Sequence, residues 1–429
     1  MPPVPLSPVR RLARTAVLLG MVLPLLAGTV ASSAAAADED PAGGAVGAAE
    51  VTTTVPVDEV ELPGRAQTSL RLGVRGRTAR AEPLLVASTA TGYTPAQIRA
   101  HLGLTGTGAG QTIAIVSAYD APNVAADLAV FNRTFGLQAP PSFRKVNQTG
   151  GTKMPSANGV WALESAMDVQ WAHAVAPDAA ILLVQASNSA LGNLLAAVSW
   201  AASQPGVSVI SGSFGASEFS GQSAQDHRCR LVAAVCVFAS GDNGGQATYP
   251  ATMPNALAVG GTNLSLATDG SFLSETAWSG SGGGVSLYSA KPAYQVGVTS
   301  AARRSSPDVS YAAGEPAGFP VYSTTPYERQ TGWFQMSGTS VGAPQWAGIL
   351  AAGNQLRRLD GKAPLGAVTP AGGTPLHTAL YGNPTGLRDI VVGTNGTCGT
   401  VCTALPGYDT VTGLGSPAPG LDLVLRSAP

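Results

Sequence analysis

Short apolar runs alternate with amphipathic stretches along the chain from about residue 92 onward. Buried-strand runs of three to five residues begin at positions 112, 180, 207, 235 and 257. Helical patterns lie near 124–135, 161–174, 189–203 and 220–234. Continuous apolar strands that alternate with helices are typical of a parallel sheet that is covered on both faces. The pattern therefore predicts an α/β fold, with a parallel sheet and helices on both of its faces.

The first forty residues have a different pattern. Three arginines, at positions 10, 11 and 14, precede an uncharged apolar run over 16–30, and small residues then lead to Ala37. This three-part layout predicts a secretory signal peptide over 1–37, with cleavage after Ala37. The run is shorter than the ~20 residues that a membrane span needs. We therefore expect a secreted, extracellular protein with no membrane association once the signal is removed.

Residues 38–91 are rich in Ala, Gly, Thr, Val and Pro and lack a sustained helical or strand period. We interpret this segment as a short prosegment or linker that precedes one large domain over 92–429. Basic residues gather within it, and the cluster between Arg75 and Arg80 is our candidate activation region.

Charge is sparse and balanced. The 429 residues carry 24 Lys and Arg against 25 Asp and Glu, and only 11% of positions are charged. A nucleic-acid binder would show a basic excess, which is absent here. Few carboxylates also suit an acidic medium, because fewer of them must be protonated as the pH falls. A monomer without nucleic-acid partners is the default expectation.

Four cysteines agree with an oxidising compartment. Cys229 and Cys236 lie seven positions apart, and Cys398 and Cys402 lie four apart. Local pairing would form two small loops, although four cysteines allow three connectivities. Neither pair has the spacing of a zinc site.

A serine in a small-residue motif is the candidate nucleophile. The sequence Ser337-Gly-Thr-Ser340-Val-Gly-Ala-Pro344 precedes a helical run over 345–357. The free N–H groups and the dipole of a helix N-terminus favour a developing anion. Ser340 is therefore well placed for nucleophilic attack. Taken alone, the motif fits the cap of an ordinary core helix equally well.

Two acids lie on one face of a predicted helix. Glu164 and Asp168 are four residues apart, and the flanking Leu163, Met167 and Trp171 indicate limited access to solvent. An acid pair in such a place would share a proton, and the pKa of one member would be raised. This arrangement suits general acid/base chemistry at low pH, whereas the simpler alternative is two solvated acids.

A third candidate, Asp242, lies in the glycine-rich turn Ser240-Gly-Asp242-Asn-Gly244-Gly245. This turn follows a predicted parallel strand, and α/β proteins place site residues at that end of a strand. Turns also use Asp and Gly for backbone reasons alone.

Taken together and in this order, the three motifs resemble those of the sedolisin (serine-carboxyl peptidase) family. The strand Ser211-Gly-Ser213-Phe-Gly215 is similar to the Ser-x-Ser-x-Gly strand of that family. The resemblance extends over residues 92–424. It implies a subtilisin-like fold.

The resemblance also implies a mechanism and a set of roles. Ser340 would attack the peptide carbonyl and form an acyl-enzyme, with Glu164 as the general base and Asp168 orienting it. Asp242, in its protonated form, would donate a hydrogen bond to the oxyanion, so that the activity optimum would be acidic. The protein would act on proteins and peptides, either as an endopeptidase or as a tripeptidyl-peptidase. The residues implied to pair with the substrate backbone are Ser211, Gly212 and Ser213.

One structural Ca²⁺ per chain is implied in the same way. Its ligands would be the side chains of Asp389 and Asp409 and the carbonyls of Ile390, Leu405 and Gly407. Hard oxygen ligands suit this ion, although the segment also fits a simple turn-rich loop. Leu405 stands where the family commonly has glycine, so its carbonyl can serve only if the backbone there needs no positive φ. The prosegment is also shorter than the folded prodomain common in the family, which leaves activation open.

Two other enzymatic interpretations and one non-enzymatic interpretation remain. Gly338-Thr-Ser340-Val-Gly342 also fits the nucleophile elbow of α/β-hydrolases, with Asp360 and His377 as partners, but a His-Gly-Gly oxyanion motif is missing. A Ser-His-Asp triad of the subtilisin type is disfavoured, because no histidine lies in a His-Gly-Thr-His setting. A secreted, catalytically inactive homologue is the third alternative.

Overall fold

A computed structural model of the chain describes residues 52–56, 64–68, 71–75, 82–83, 90–229, 234–316, 318–366 and 374–428. All of them belong to one compact unit, residues 50–429. The predicted signal peptide lies outside the described residues. Within the described part, no helix is both long and apolar enough to cross a membrane.

The described residues form seven α-helices. They are α1 (Pro95–Leu102), α2 (Val124–Phe135), α3 (Gly159–Val175), α4 (Leu191–Ala202), α5 (Thr339–Leu359), α6 (Pro375–Gly382) and α7 (Leu421–Ser427).

Twenty strands, several of only two residues, accompany these helices in the same part of the chain. They are β1 (Thr52–Pro56), β2 (Gln67–Thr68), β3 (Arg71–Arg75), β4 (Glu82–Pro83), β5 (Thr112–Ala118), β6 (Phe143–Asn147), β7 (Ala180–Ala186), β8 (Val207–Gly212), β9 (Phe214–Ser217), β10 (Val235–Ala239), β11 (Thr248–Tyr249), β12 (Ala256–Leu266), β13 (Phe272–Ala277), β14 (Gly284–Ala290), β15 (Arg303–Ser306), β16 (Val309–Ala312), β17 (Phe319–Tyr327), β18 (Gln330–Ser337), β19 (Leu387–Arg388) and β20 (Ser416–Pro417).

The central sheet has eight strands in the order β13-β12-β10-β8-β5-β7-β6, with β16 beside β12. All of its pairs are parallel except the pair of β12 with β13 at one edge. The predicted α/β fold with a mainly parallel sheet is therefore confirmed.

Strand β5 shows why the apolar runs are continuous. Ile113 and Ile115 pack in a core cluster with α1, α2, α3 and α5, whereas Ala114 and Val116 pack in a second cluster with α4. Successive side chains of a strand point to opposite faces. Because helices cover both faces of this sheet, positions 113–118 of the strand are all buried and a polar alternation is absent.

The segment that we interpret as a prosegment or linker contributes four short strands. β1, β3 and β4 join β17 and β18 in a five-stranded sheet, and β2 pairs with β9. The lack of a strand period therefore did not exclude strands here. β1 and β4 pair with β3 inside the segment, whereas β2 and β3 pair with the distant strands β9 and β18, which a local pattern does not reveal.

The two disulfides are local. Cys229 bonds to Cys236 and Cys398 bonds to Cys402. Of the three connectivities that the sequence allows, the structure has the one that closes two small loops.

Candidate active site

Ser340 lies in the first turn of α5. The strand β18 ends at Ser337, Gly338 caps the helix with φ of 102°, and α5 begins at Thr339. This φ lies in the left-handed region that favours glycine, so Gly338 allows the abrupt change from strand to helix. The Ser340 side chain is buried, and its Oγ lies 3.5 Å from the carbonyl oxygen of Ser213. The structure thus shows Ser340 at a helix N-terminus, as the sequence predicts.

Pro344 frees the carbonyl group of this serine. A proline lacks the N–H that would bond to the carbonyl four residues earlier, and Pro344 lies inside α5, four residues after Ser340. The hydroxyl of Ser213 lies 3.1 Å from that Ser340 carbonyl oxygen. A side chain from the end of the central sheet thereby replaces the missing helical hydrogen bond.

The two predicted acids are in the protein interior because α3 has no exposed face. Every side chain from Trp161 to Val175 is buried, and a helix that is apolar on all sides packs in the core of a protein. Glu164 and Asp168 are 1% and 0% exposed. Their helix packs directly against α5.

Asp168 is connected to the serine through Ser213. The Ser213 hydroxyl lies 2.6 Å from Asp168 Oδ1 as well as 3.1 Å from the carbonyl oxygen of Ser340. Burial raises the pKa of Asp168 well above its usual value, and the hydrogen bond from Ser213 opposes that shift. The structure therefore provides a carboxyl group that can hold its proton and that is connected through Ser213 to the Ser340 backbone.

Asp242 lies at the same helix terminus. Its Oδ1 accepts hydrogen bonds from the backbone N–H and the hydroxyl of Thr339, at 2.9 Å and 2.8 Å. The Gly241 N–H in turn donates to the Thr339 hydroxyl. Asp242 thus caps the N-terminus of α5 and is bonded to Thr339, the residue directly before Ser340.

The turn that carries Asp242 is supported by the Cys398–Cys402 loop. Gly244 has φ of 68°, and a Cβ atom there would lie 2.4 Å from the Asn395 carbonyl oxygen. A Cβ on Gly245 would lie 2.4 Å from Cys402 Sγ. The glycines therefore allow close packing of the disulfide loop beneath the turn.

The pairing of Ser211, Gly212 and Ser213 with the substrate backbone remains a prediction, and the structure shows where these residues lie. Ser211 pairs with Val237 on one side and with Ile115 on the other, inside the central sheet. Its backbone therefore has no free edge for a peptide. Gly212 belongs to the same strand β8, and the Ser213 side chain points toward Asp168. The residues that pair with an added extended segment are Phe214 and Gly215 in β9.

The predicted calcium residues converge on one loop. Asp389 Oδ2 accepts a hydrogen bond from the Gly407 N–H at 2.8 Å, and Asp409 Oδ2 accepts one from the Leu405 N–H at 3.0 Å. Ile390 is buried beside this loop. No group of three or more His, Cys, Asp or Glu residues that could hold a metal ion occurs in the described part of the chain.

The backbone at Leu405 does not require glycine. Tyr119, Glu328 and Arg329 are the non-glycine residues with positive φ in the described ranges, and Leu405 is not among them. The replacement of the family's glycine therefore leaves its carbonyl group suitable as a ligand.

The alternative esterase triad is not assembled. Asp360 follows the last residue of α5 and forms an ion pair with Arg426. At about 1.5 Å per helical residue, it lies roughly 30 Å from Ser340 along the helix. His377 contacts the Thr374 hydroxyl and the Ala256 carbonyl through its two ring nitrogens. These two residues therefore do not serve the serine.

The sequence analysis missed two residues that shape the candidate active site. Thr339 holds Asp242 at the helix terminus, and Pro344 frees the Ser340 carbonyl. The sequence predicted the helix only from residue 345, after the proline, whereas α5 begins at Thr339 and includes Pro344. The role of Thr339 depends on contact with a turn 97 residues away.

Comparisons with known proteins agree with this geometry. The profile of the subtilase family (Peptidase_S8) matches residues 147–360. Sedolisin from Pseudomonas sp. (strain 101) is 28% identical over 406 residues, which cover 85% of this chain and 65% of that protein. Tripeptidyl-peptidase 1 from Mus musculus is 31% identical over 216 residues, which cover 42% of this chain and 35% of that protein. The matches thus span less than two thirds of the length of these relatives.

A solved structure is similar over most of its length. Pseudomonas sedolisin, described as a serine-carboxyl proteinase in complex with two molecules of pseudo-iodotyrostatin, matches with a TM-score of 0.66 and 26% identity. The match covers 77% of this chain and 96% of that one.

The fold and these relatives place the chain in the class of proteins with a subtilisin-like fold. Within this class the chain is a homologue of sedolisin, and the resemblance predicted from its motifs is confirmed.

Proposed function

We propose that this chain is a secreted serine-carboxyl peptidase that hydrolyses protein and peptide substrates in acid. The observation that carries the proposal is the connection Asp168–Ser213–Ser340 at the N-terminus of α5, where Asp242 also lies. The helix that carries the two acids, the proposed nucleophile and the proposed oxyanion donor thus lie together at the N-terminus of α5.

In the proposed reaction, Ser340 Oγ attacks the carbonyl carbon of the substrate and its proton passes to Glu164. Asp168 orients Glu164 and shares its proton. Glu164 then delivers the proton to the leaving amine, and an ester remains on Ser340. Water hydrolyses the ester by the same transfers in reverse order, which restores the serine.

Asp242 stabilises the oxyanion in this scheme. Because Oδ1 accepts two hydrogen bonds from Thr339, we assign the donated proton to Oδ2. Those two bonds and the helix N-terminus favour the ionised carboxylate. Donation by this group therefore requires an acidic medium, in agreement with the low charge content of the chain.

A Ca²⁺ ion would have a structural role. Two carboxylates and three backbone carbonyls supply the hard oxygen ligands that this ion prefers. The convergence of Asp389 and Asp409 on the loop 405–409 supports the fit. When bound, the ion would cross-link this loop to the segment at Asp389, and the reaction itself would not pass through it.

The experiment is the cleavage of an unfolded protein between pH 3 and 8 with calcium present. Wild type is compared with Ser340→Ala and Glu164→Gln. Ser165→Ala is the matched control, because Ser165 adjoins Glu164 but bonds to Ser117. We expect an acidic optimum that disappears in the first two variants and persists in the control.

Two results would contradict this function. Neutral ester hydrolysis that requires Ser340 but not Glu164 would identify an esterase. Absence of cleavage by folded, correctly processed protein, checked by its thermal transition, would identify an inactive homologue.

A further inference from the structure

Two hydroxyl groups near the candidate active site hold an arginine side chain. Nη1 of Arg65 donates to the Tyr119 hydroxyl at 2.9 Å and to Ser189 Oγ at 3.3 Å. Tyr119 directly follows β5 of the central sheet, and Ser189 lies in the loop between β7 and α4. Neither hydroxyl takes part in the proposed reaction.

The backbone around this arginine is held in the manner of a bound peptide. On one side, the Ala66 N–H donates to the Ser189 carbonyl at 2.8 Å. On the other side, Gln67 is opposite Gly215 in an antiparallel pair with β9. Extended peptides bind to the edges of strands in this way. The stretch that contains Arg65 therefore shows how an extended chain fits between the loop after β7 and β9.

Both hydroxyls are fixed by the surrounding fold. Tyr119 has φ of 57°, which is uncommon for a residue other than glycine, and strained backbones of this kind cluster at ligand contacts. Its ring lies 6.5 Å from that of Trp161 in α3. Ser189 is 3% exposed, and the side chain of the preceding Asn188 accepts a hydrogen bond from the Ala190 N–H. The fold thus positions both hydroxyls independently of Arg65.

Two carboxylates near this arginine have other partners. Asp120 follows Tyr119 and forms an ion pair with Lys145 at 2.9 Å. Glu218 and Arg228 line a cavity of about 720 Å³ that adjoins Arg65. The Glu218 carboxylate accepts hydrogen bonds from three side chains and one backbone N–H, and the Arg228 guanidinium donates to a glutamine side chain. Neutral hydroxyls, rather than these carboxylates, therefore contact the guanidinium of Arg65.

The pairing register gives the distance of this site from the nucleophile. Thr68 is opposite Phe214 in β9. An extended peptide that is bound in this register has its next residue beside Ser213, whose carbonyl oxygen lies 3.5 Å from Ser340 Oγ. Arg65 lies three residues before Thr68. A substrate residue in its place is therefore the fifth on the N-terminal side of the bond that is cut.

We propose that Tyr119 and Ser189 form a substrate subsite for a basic side chain, arginine or lysine, at the fifth position before the cut bond. The inference rests on the proposed peptidase function. Hydrogen bonds with an ionised partner are roughly twice as strong as those between neutral groups, so the two hydroxyls favour a cation over a neutral side chain.

This position also bears on the type of cleavage. A tripeptidyl-peptidase has three substrate residues on the N-terminal side of the bond that it cuts, and these do not reach the subsite. Use of the subsite therefore requires a cut inside a chain, as in an endopeptidase.

A subsite made of hydroxyls should keep its preference in acid. Aspartate and glutamate side chains become protonated near pH 4, whereas arginine and lysine stay charged and hydroxyls stay neutral. We therefore expect the preference for a basic side chain to be constant between pH 3 and 6. A site that recognises the cation through a carboxylate would lose its preference as the pH falls.

The first experiment locates the position in substrates. The secreted, active protein digests a denatured protein of known sequence at pH 4, and mass spectrometry identifies the residues around each cut. We expect arginine and lysine to be enriched at the fifth position before the cut relative to their abundance in the substrate.

Matched peptides then measure the contribution of each hydroxyl. Two peptides that differ only by arginine or alanine at this position are compared, and we expect kcat/KM to be about tenfold higher for the arginine peptide. Tyr119→Phe keeps the ring and should lower this ratio roughly threefold or more. The double variant with Ser189→Ala should bring the ratio close to one. Tyr322→Phe, which removes a hydroxyl from β17, is the control and should keep the ratio.

Three results would contradict the inference. Cleavage of denatured protein without a basic preference at this position, or with a preference that survives the loss of both hydroxyls, would overturn it and leave the peptidase function intact. A ratio that increases from pH 3 to 6 would assign the recognition to a carboxylate and would overturn it too. Folded protein that cleaves neither denatured protein nor peptides would refute the function as well.

Discussion

The hydroxyl of Ser213 has one proton and two acceptors within reach. When Asp168 is ionised, Ser213 donates to its carboxylate; when Asp168 is protonated, the carboxyl can donate to Ser213, which then donates to the Ser340 carbonyl. The protonation state of the acid is thereby coupled to the backbone of the nucleophile. Through its side chain, Ser213 is a positioning residue in this arrangement.

Replacement of Ser213 by alanine should therefore change the pH profile as well as the rate. The hydrogen bond from Ser213 lowers the pKa of Asp168, so its loss should raise that pKa further above the usual value. We expect kcat to fall roughly tenfold and the limb of kcat/KM that reports Asp168 to move to higher pH. Ser165→Ala is the control. A uniform loss of rate without a shifted limb would indicate a purely structural role.

At Asp242, asparagine and alanine should behave differently. Asparagine can still accept from Thr339 through its oxygen and can donate from its nitrogen at every pH, whereas alanine can do neither. We expect Asp242→Ala to lose about 10²–10³ in kcat, and Asp242→Asn to lose less and to decline less steeply toward neutral pH. Equal losses in both variants over the whole pH range would contradict the donor role.

Among the elements, those with a strong local pattern were predicted most accurately. The helix expected over 124–135 is α2, and the strand expected from position 207 is β8. The helix expected over 220–234 is instead a 3₁₀ helix, Gln222–Cys229. Polar residues fill most of that stretch, and it ends at a disulfide. β2 and β3 were not predicted, because the strands that join them to the rest of the fold, β9 and β18, lie more than 140 residues away.

The two disulfide loops should contribute alike to stability but differently to catalysis. Closure of loops this short contributes about 2–3 kcal/mol through the entropy of the unfolded chain. Only the Cys398–Cys402 loop packs under the Asp242 turn. We therefore expect the serine double variant of this pair to lose kcat severalfold, whereas that of Cys229 and Cys236 should retain it.

The measurement is urea unfolding together with steady-state kinetics at low temperature, where both variants remain folded. Equal retention of kcat in the two double variants would show that the turn does not need the loop.

On the scale of the whole molecule, buried titratable groups have two opposite effects on the stability of the fold in acid. Burial raises the pKa of Asp127, Asp168 and Asp409. These carboxyl groups therefore stabilise the fold at pH values below their usual pKa, and this stabilisation is lost as the pH rises through their pKa in the folded protein. Burial, together with the charge of Arg388, lowers the pKa of His101 from 6.5 to about 4. Its contribution is present above pH 6.5 and is lost as the pH falls toward 4.

His101→Gln should therefore reduce the acid sensitivity of the fold. In wild type, His101 is protonated at a higher pH in the unfolded chain than in the folded protein, which favours unfolding as the pH falls. Glutamine does not titrate, so the Tm of the variant should fall less than that of wild type between pH 6.5 and pH 4. Thermal unfolding at both pH values checks this, with exposed His227→Gln as the control. An unchanged difference in Tm would show that His101 is not a major contributor.

The sequence indicated most residues of the candidate site, but it did not indicate the contacts that bring them together. The motifs indicated Ser340, Glu164 and Asp242, because short spacings and glycine-rich turns can be recognised within a few residues of sequence. The link from Asp168 to Ser340 through Ser213 and the capping of α5 by Asp242 depend on contacts across 45 to 127 residues. Such contacts are set by the sheet order, which one sequence does not specify.

Departure of the N-terminal segment would expose one edge each of β9 and β18, since β9 keeps β11 and β18 keeps β17 on the other side. Open strand edges accept any extended chain, including another copy of the same protein. The property that recruits a substrate would thus also promote association and mutual digestion.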